Sequence, residues 1–162
     1  MTTKTTGWQG FADEAPELAA VVRGRFEAAR HHVLATLRAD GAPRVSGTEV
    51  DFRDDGGLYI GSMPGARKAL DLQRDGRFAL HANPGDEATV TELGGDAKIS
   101  GIAEEITDPD EIEAHREPGT PPGPFHLFRL ALTDAVVTSV EGDRLVIRLW
   151  RPGAGVTETR RA

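Results

Sequence analysis

Cysteine is absent from the 162 residues, which removes disulfides, thiolate metal sites and cysteine nucleophiles together. No apolar run approaches the roughly eighteen residues that a membrane-crossing helix needs. The opening stretch, MTTKTTGWQGF, lacks the apolar segment of a secretory signal. A cytoplasmic chain that does not cross a bilayer is therefore expected. Positive charge is in deficit: 26 acidic against 19 basic residues leave a net charge of −7. That balance argues against general attraction to nucleic acid or anionic lipid. Two phosphate-binding motifs are missing too. Gly61 to Lys68 has neither the second glycine nor the trailing hydroxyl of a Walker loop, and no G-x-G-x-x-G opens a helix. The histidines show no metal-ligand spacing, and His31 and His32, adjacent on a strand, leave opposite faces. No metal site is expected.

The positive charges that do exist are local. Arg23, Arg25 and Arg30, then Arg67 and Lys68, then Arg74 and Arg77, then Arg160 and Arg161 form small groups. A basic spot on an acidic protein points to a small anionic ligand. Glycine (19) and proline (10) are frequent, as tight turns between short strands require.

Residues 1–10 are polar and expected to fray. A helix starts near Asp13–Glu17 and carries apolar residues at helical spacing through Leu18, Val21, Val22, Phe26 and Ala29, with Arg23, Arg25, Glu27 and Arg30 on a solvated face. His31–Ala39 and Arg44–Phe52 alternate as strands around the turn Asp40-Gly41-Ala42-Pro43, and Leu58–Gly61 follows as a third strand of a meander. A helix from about Ala66 to Arg74 buries Ala66, Leu70 and either Ala69 or Gln73. Arg77–Ala82 is a fourth strand, and Asp86–Gly95 is ambiguous. Asp96–Ile106 is a strand in which Gly101 marks a bulge. Asp108-Pro109-Asp110-Glu111 opens a short helix, and after a proline-rich link Phe125–Val140 and Leu145–Trp150 pair as strands. Residues 11–152 read as one domain and 153–162 as a loose tail. The fold class is mainly β (α+β), a closed antiparallel barrel of six or seven strands with peripheral helices.

The stretch LYIGSMPGARKALDLQRDGRFALHA, residues 58–82, carries the chemistry. Strand, glycine-bearing turn and helix bring the Ser62 hydroxyl, two neighbouring cations, Arg67 and Lys68, and the free N–H groups of a helix start to one place. Such a set suits a phosphate monoester. The competing reading pairs Arg67 with Asp71 one turn along and leaves Lys68 exposed. Cations at a helix start oppose its dipole, so they call for a reason. Ser46 and Thr48 share one face of their strand with Gly47 between them, so both hydroxyls reach one ligand or simply face solvent. Glu49 and Asp51 share the other face with Val45, and neither these nor Glu104 and Glu105 have a partner that sequence identifies.

A strand, then G-S-x-x-x-x-R-K-x-x-x-L from Gly61, then a strand ending at Asn83-Pro84, resembles the pyridoxamine phosphate oxidase-like superfamily of split β-barrels. The N-terminal helix, the hairpin HHVLATLRADGAPRVSGTEVDF, the strand DAKISGIAEEI and the late Trp150-Arg151-Pro152-Gly153 fall in that family's order. The resemblance implies FMN, or the deazaflavin coenzyme F-420, bound at a homodimer interface. It implies that Gly61, Ser62, Arg67 and Lys68 hold the cofactor's phosphate, and that Arg44, Val45, Ser46, Gly47 and Thr48 lie along the tricyclic ring. Lys98 and Trp150 are further candidates, one as a contact from the second subunit, the other as cover for the ring's edge. The end WRPGAGVTETRRA has no histidine after His126, so it departs from the arginine–leucine–histidine motif with which the family's namesake grips its substrate. Vitamin B6 phosphate is thus not the expected substrate. The implied activity is hydride transfer between the bound flavin and a small conjugated molecule, with no side-chain nucleophile. The alternative is a flavin carrier or a haem- or tetrapyrrole-binding protein without turnover, for which His81 or His126 would supply an axial ligand. For FMN against deazaflavin, Arg74, Arg77, Arg23 and Arg25 matter, because an acidic tail needs cations leading out of the groove.

Overall fold

A computed structural model describes residues 3–162, in which nine strands form one antiparallel sheet with five short helices around it. The N-terminal helices are α1 (Trp8–Glu14) and α2 (Pro16–Glu27). The strands β1 (His32–Leu37), β2 (Pro43–Thr48), β3 (Asp51–Phe52) and β4 (Leu58–Ser62) come next. Helix α3 (Arg67–Arg74), β5 (Arg77–His81), α4 (Glu87–Glu92), β6 (Asp96–Ile106) and α5 (Pro109–Ala114) lead to the long β7 (His126–Glu141), β8 (Arg144–Arg151) and β9 (Gly155–Arg161). Among the described residues no helix is long and apolar enough to cross a membrane.

Along the sheet the order is β2-β1-β5-β6-β7-β4-β3, so β2 and β3 lie at opposite ends. Yet only Glu49 and Val50 separate them in the chain. Two residues span about 7 Å at most, so the ends must meet and the sheet must curl. It does not close, which corrects the closed barrel of six or seven strands read from the pattern and agrees with the split barrel that the resemblance implied: β2 approaches β4 without pairing to it. The result is a split barrel. The expected meander is thereby corrected, because residues 44–52 do not form one strand but switch from one end of the sheet to the other. At the opposite side β6 and β7 bend together at a register shift between Ser100 and Gly101. A Cβ on Gly101 would stand 1.8 Å from the Ala131 carbonyl oxygen, so a side chain there is sterically blocked.

The barrel interior holds Leu34, Leu80, Ile99, Ala135 and Val137, and α1 and α2 cover it with Phe11, Leu18, Val22 and Phe26. Phe11 lies 4.4 Å from the Trp150 ring and Trp8 lies 4.8 Å, edge-on, from Phe52. Burial on this scale is worth about 1.5–3 kcal/mol for each large side chain.

Several expectations are corrected here. Of the segment 1–10 expected to fray, residues 1 and 2 lie outside the described residues, Thr6 pairs with Leu132, and Trp8 opens α1. Residues 155–161 are a strand along β8, not a loose tail. The ambiguous 86–95 contains α4. Arg25, expected in solvent, is 1% exposed and donates from Nη2 to the carbonyls of Asn83 and Pro84, 2.8 Å each. Helix α3 is also rotated from its expected phase: it buries Ala69, Asp71 and Leu72, and leaves Leu70 40% exposed. The reason is Asp71, whose buried carboxylate has three donors inside the barrel mouth.

Candidate functional site

The split in the barrel is where the free edge of β2 faces the end of β4 and the start of α3. Lys68 bridges it, donating from Nζ to the Gly47 carbonyl at 2.8 Å. On the other side β4 ends at Ser62, which stands opposite His126 of β7. The chain then turns through Met63-Pro64-Gly65-Ala66, and the Ala66 N–H donates to the Met63 carbonyl at 3.2 Å. Proline at the second position and glycine with φ of +72° at the third are what a type II turn requires. Helix α3 follows directly, with Ala66 at its N-cap and no side chain capping its first N–H groups.

Three features make this corner suited to an anion. The Ser62 hydroxyl is buried and has no hydrogen-bond partner, a state that normally costs on the order of 1–3 kcal/mol. Arg67 is exposed at the first position of α3 and is not neutralised by Asp71. Asp71 instead accepts from Arg44 Nε at 2.7 Å, Thr36 Oγ1 at 2.8 Å and Arg74 Nη2 at 3.0 Å. Burial alone would raise its pKa, but those donors outweigh burial and hold the carboxyl at about 2. Lys68 is half-buried, and that burial pulls its ammonium below the usual lysine range, with Glu49 opposing the shift. An approaching dianion would favour the charged form of Lys68 and complete the partnerless hydroxyl.

The remaining sequence candidates fall into distinct places. On β2, Arg44, Ser46 and Thr48 stand opposite the buried Thr36, Leu34 and His32, so they face the barrel interior, and Val45 and Gly47 face outward. Ser46 and Thr48 do share a face, but Thr48 is 4% exposed and its hydroxyl donates to the Glu49 carbonyl at 3.1 Å. Arg44 is held by Asp71. Gly61 is exposed, and only the His126 carbonyl comes within 4 Å of where its Cβ would be, at 3.8 Å. Lys98 lies on the outer face of β6, separated from β2 by β1 and β5. Trp150 is fully buried in the core, its Nε1 donating to Glu14 Oε2 at 3.0 Å. Ser62, Arg67, Lys68 and Gly47 are thus gathered around the split, and Lys98 and Trp150 stand apart from it within this chain.

Sequence reasoning missed an acid–base cluster beside the turn. His126 Nδ1 lies 2.9 Å from Glu105 Oε1, and Gln73 Nε2 donates to both Glu105 oxygens at 3.0 and 2.9 Å. The Gly65 N–H donates to His126 Nε2 at 3.3 Å. The signal lay in register, since Ser62 faces His126 across β4 and β7 and Phe128 of β7 faces Glu105 of β6, pairings no local pattern reveals. Both nitrogens of His81 are engaged too, Nε2 near Asp96 Oδ2 at 3.1 Å and Nδ1 near the Ala82 carbonyl at 2.6 Å. Among the described residues no group of three or more acids and histidines converges as for a metal ion.

Comparison with known proteins follows the same lines. The family model described as pyridoxamine 5'-phosphate oxidase matches residues 18–137. No curated protein sequence gives a match. Among solved structures, a pyridoxamine 5'-phosphate oxidase-related, FMN binding protein from Nostoc punctiforme superposes with a TM-score of 0.63 at 14% identity, over 91% of this chain and 96% of that one. PhzG from Burkholderia lata, in complex with tetrahydrophenazine-1-carboxylic acid, gives 0.54 at 19% identity over 95% and 88%. A putative pyridoxamine 5'-phosphate oxidase from Listeria innocua gives 0.56 at 15% identity over 72% and 94%. At these identities the superpositions speak for the fold. The family match, which takes in most of the chain from α2 into β7, is what assigns it: this protein belongs to the pyridoxamine 5'-phosphate oxidase family.

Proposed function

We propose that this chain is an FMN-dependent oxidoreductase that holds the cofactor's phosphate at Ser62, Arg67, Lys68 and the open N-terminus of α3. The observation that carries the reading is the buried, partnerless Ser62 hydroxyl beside an uncapped helix that begins with two cations. A phosphate monoester meets all three demands: an acceptor for Ser62 O–H, a counter-charge for Arg67 and Lys68, and acceptors for the helix N–H groups. Bound FMN would supply hydride transfer, so no side-chain nucleophile is required. The protein's part is to orient and shield the ring. The edge of β2 from Arg44 to Thr48 offers it a surface whose outward positions, Val45 and Gly47, are uncharged and small.

Two observations favour FMN over the alternatives. The cations that would lead an acidic deazaflavin tail away are spoken for: Arg74 and Arg77 pair with Asp71 and Asp75, Arg23 pairs with Glu27, and Arg25 is buried. Neither His81 nor His126 has a nitrogen free to ligate haem iron. A homodimer fits the outer sheet face, where Val45 and Val33 are 68% and 42% exposed and continue through Ala79 and Lys98 to Val136 and Leu149. A second copy covering that face would bring its Lys98 toward a ring lying on β2. The substrate would be a small conjugated molecule other than vitamin B6 phosphate, since residues 155–161, committed to β9, carry no arginine–leucine–histidine motif with which to grip it.

The test is the absorption spectrum of the purified protein, followed by titration with FMN and with riboflavin. Flavin bands are expected, with FMN bound at least about tenfold more tightly than riboflavin through its charge-assisted contacts. A haem or deazaflavin spectrum, or equal affinity for the two flavins, defeats the assignment. Oxidation of reduced nicotinamide by the loaded protein then separates an enzyme from a carrier.

A further inference from the structure

The turn that precedes α3 is held by side chains of β6 and β7, among them that of His126, whose backbone pairs with Ser62 across β4 and β7. In a type II turn the central peptide is flipped relative to type I, so the Pro64–Gly65 peptide plane can face either way unless something fixes it. Here the Gly65 N–H donates to His126 Nε2 at 3.3 Å. An accepting Nε2 leaves the proton of a neutral imidazole on Nδ1, and that proton is directed at Glu105 Oε1, 2.9 Å away. Glu105 in turn accepts from Gln73, in the last turn of α3. One carboxylate on β6 therefore ties down both the turn before the helix and the end of the helix itself. Between those two points Asp71 anchors the middle of α3 to Thr36 on β1 and Arg44 on β2.

We propose that Glu105 and His126 are positioning residues that set the Pro64–Gly65 peptide plane and so align Ser62 with the first turn of α3 for a phosphate monoester. The inference rests on the phosphate-site reading above and adds the residues that pre-organise it. A site aligned before binding loses less freedom on binding, so its effect is felt in affinity for the phosphate and not in affinity for the ring. Glutamine at 126 can place an amide oxygen near the position of Nε2 and accept from Gly65, whereas phenylalanine keeps the ring shape and offers no acceptor.

The experiment compares FMN and riboflavin affinities by fluorescence quenching for the wild type, H126F, H126Q and E105Q, with melting temperatures alongside. H126F is expected to lower the FMN-to-riboflavin affinity ratio about tenfold, by weakening FMN and sparing riboflavin. H126Q should recover most of the ratio. E105Q, which keeps an acceptor for Nδ1–H but loses the charge, should lower it about threefold and serves if H126F does not fold. An unchanged ratio in folded H126F, or in E105Q where H126F is unfolded, overturns the positioning role and leaves the phosphate site standing. A wild type that does not distinguish FMN from riboflavin overturns both.

Discussion

Helices α3 and α5 begin in opposite ways. The start of α5 is sealed: Asp108 accepts from the Asp110 N–H at 2.9 Å, Pro109 occupies the first position, and Asp110 and Glu111 complement the dipole. The start of α3 has Ala66 where a capping side chain would sit, no acid in its first turn, and Arg67 and Lys68 at its first two positions. A missing cap costs about 0.5–2 kcal/mol and each opposing charge about 0.3–1 kcal/mol. Local rules written into one end of the molecule are therefore broken at another, at a spot where a buried hydroxyl also lacks a partner. Aspartates cap α4 and α5, and no side chain caps α1, α2 or α3, but only α3 begins with two cations; on the reading proposed above, that open end is kept for an external anion. Structural demand shaped α5, and on the proposed reading binding demand shaped α3.

The comparison breaks first at the cations. Replacing Arg67 and Lys68 together by alanine should weaken FMN about a hundredfold or more, since two charge-assisted hydrogen bonds are lost. The melting temperature of the ligand-free protein should barely move, because the same change relieves repulsion with the dipole; isothermal titration and thermal melts read the two effects. A large drop in ligand-free stability would instead make Arg67 and Lys68 structural.

The next largest effect concerns Asp71, which holds α3 against the barrel. Its folded pKa of about 2 lies below the ordinary carboxylate value of 3.8, so its ionised form contributes stability above about pH 4 that is lost as pH falls toward 2. That contribution is about 2 kcal/mol. Asp71→Asn should cost about that much in urea unfolding at neutral pH, and the gap between variant and wild type should narrow as pH drops from 4 to 2. A gap independent of pH would mean that packing, not charge, anchors the helix. The smallest effect belongs to the sealed end: Asp108→Ala should lower stability by about 1 kcal/mol and leave FMN affinity unchanged. If it altered affinity, the division between the two helix ends would collapse.

How much could be read in advance varied with the range of the interaction. The β1–β2 hairpin, the Gly101 bulge and the Asp108 cap were legible because each is decided by residues close in sequence. The site was half legible. Ser62, Arg67 and Lys68 lie within seven residues of one another, and a strand–turn–helix alone brings them together. Glu105 and His126 were not legible, because their contact depends on the register between β6 and β7. Strand β9 is not legible in the sequence because its side chains are mostly exposed and polar and show no apolar alternation. The burial of Arg25 is not legible either, because helical spacing carries no information about the carbonyls of Asn83 and Pro84, 58 and 59 residues away, that close over it.

By itself, then, the sequence determined most of the elements, their turns and the clustering of a hydroxyl with two cations at one helix start, because backbone propensity and side-chain period act over a few residues. Tertiary structure alone decided that the sheet splits beside that helix, that Asp71 turns inward to Arg44 and Thr36 and so leaves Arg67 unneutralised, and that Ser62 is buried without a partner. Burial and charge pairing depend on which distant strands are brought alongside, and a pattern confined to neighbouring residues carries no such information.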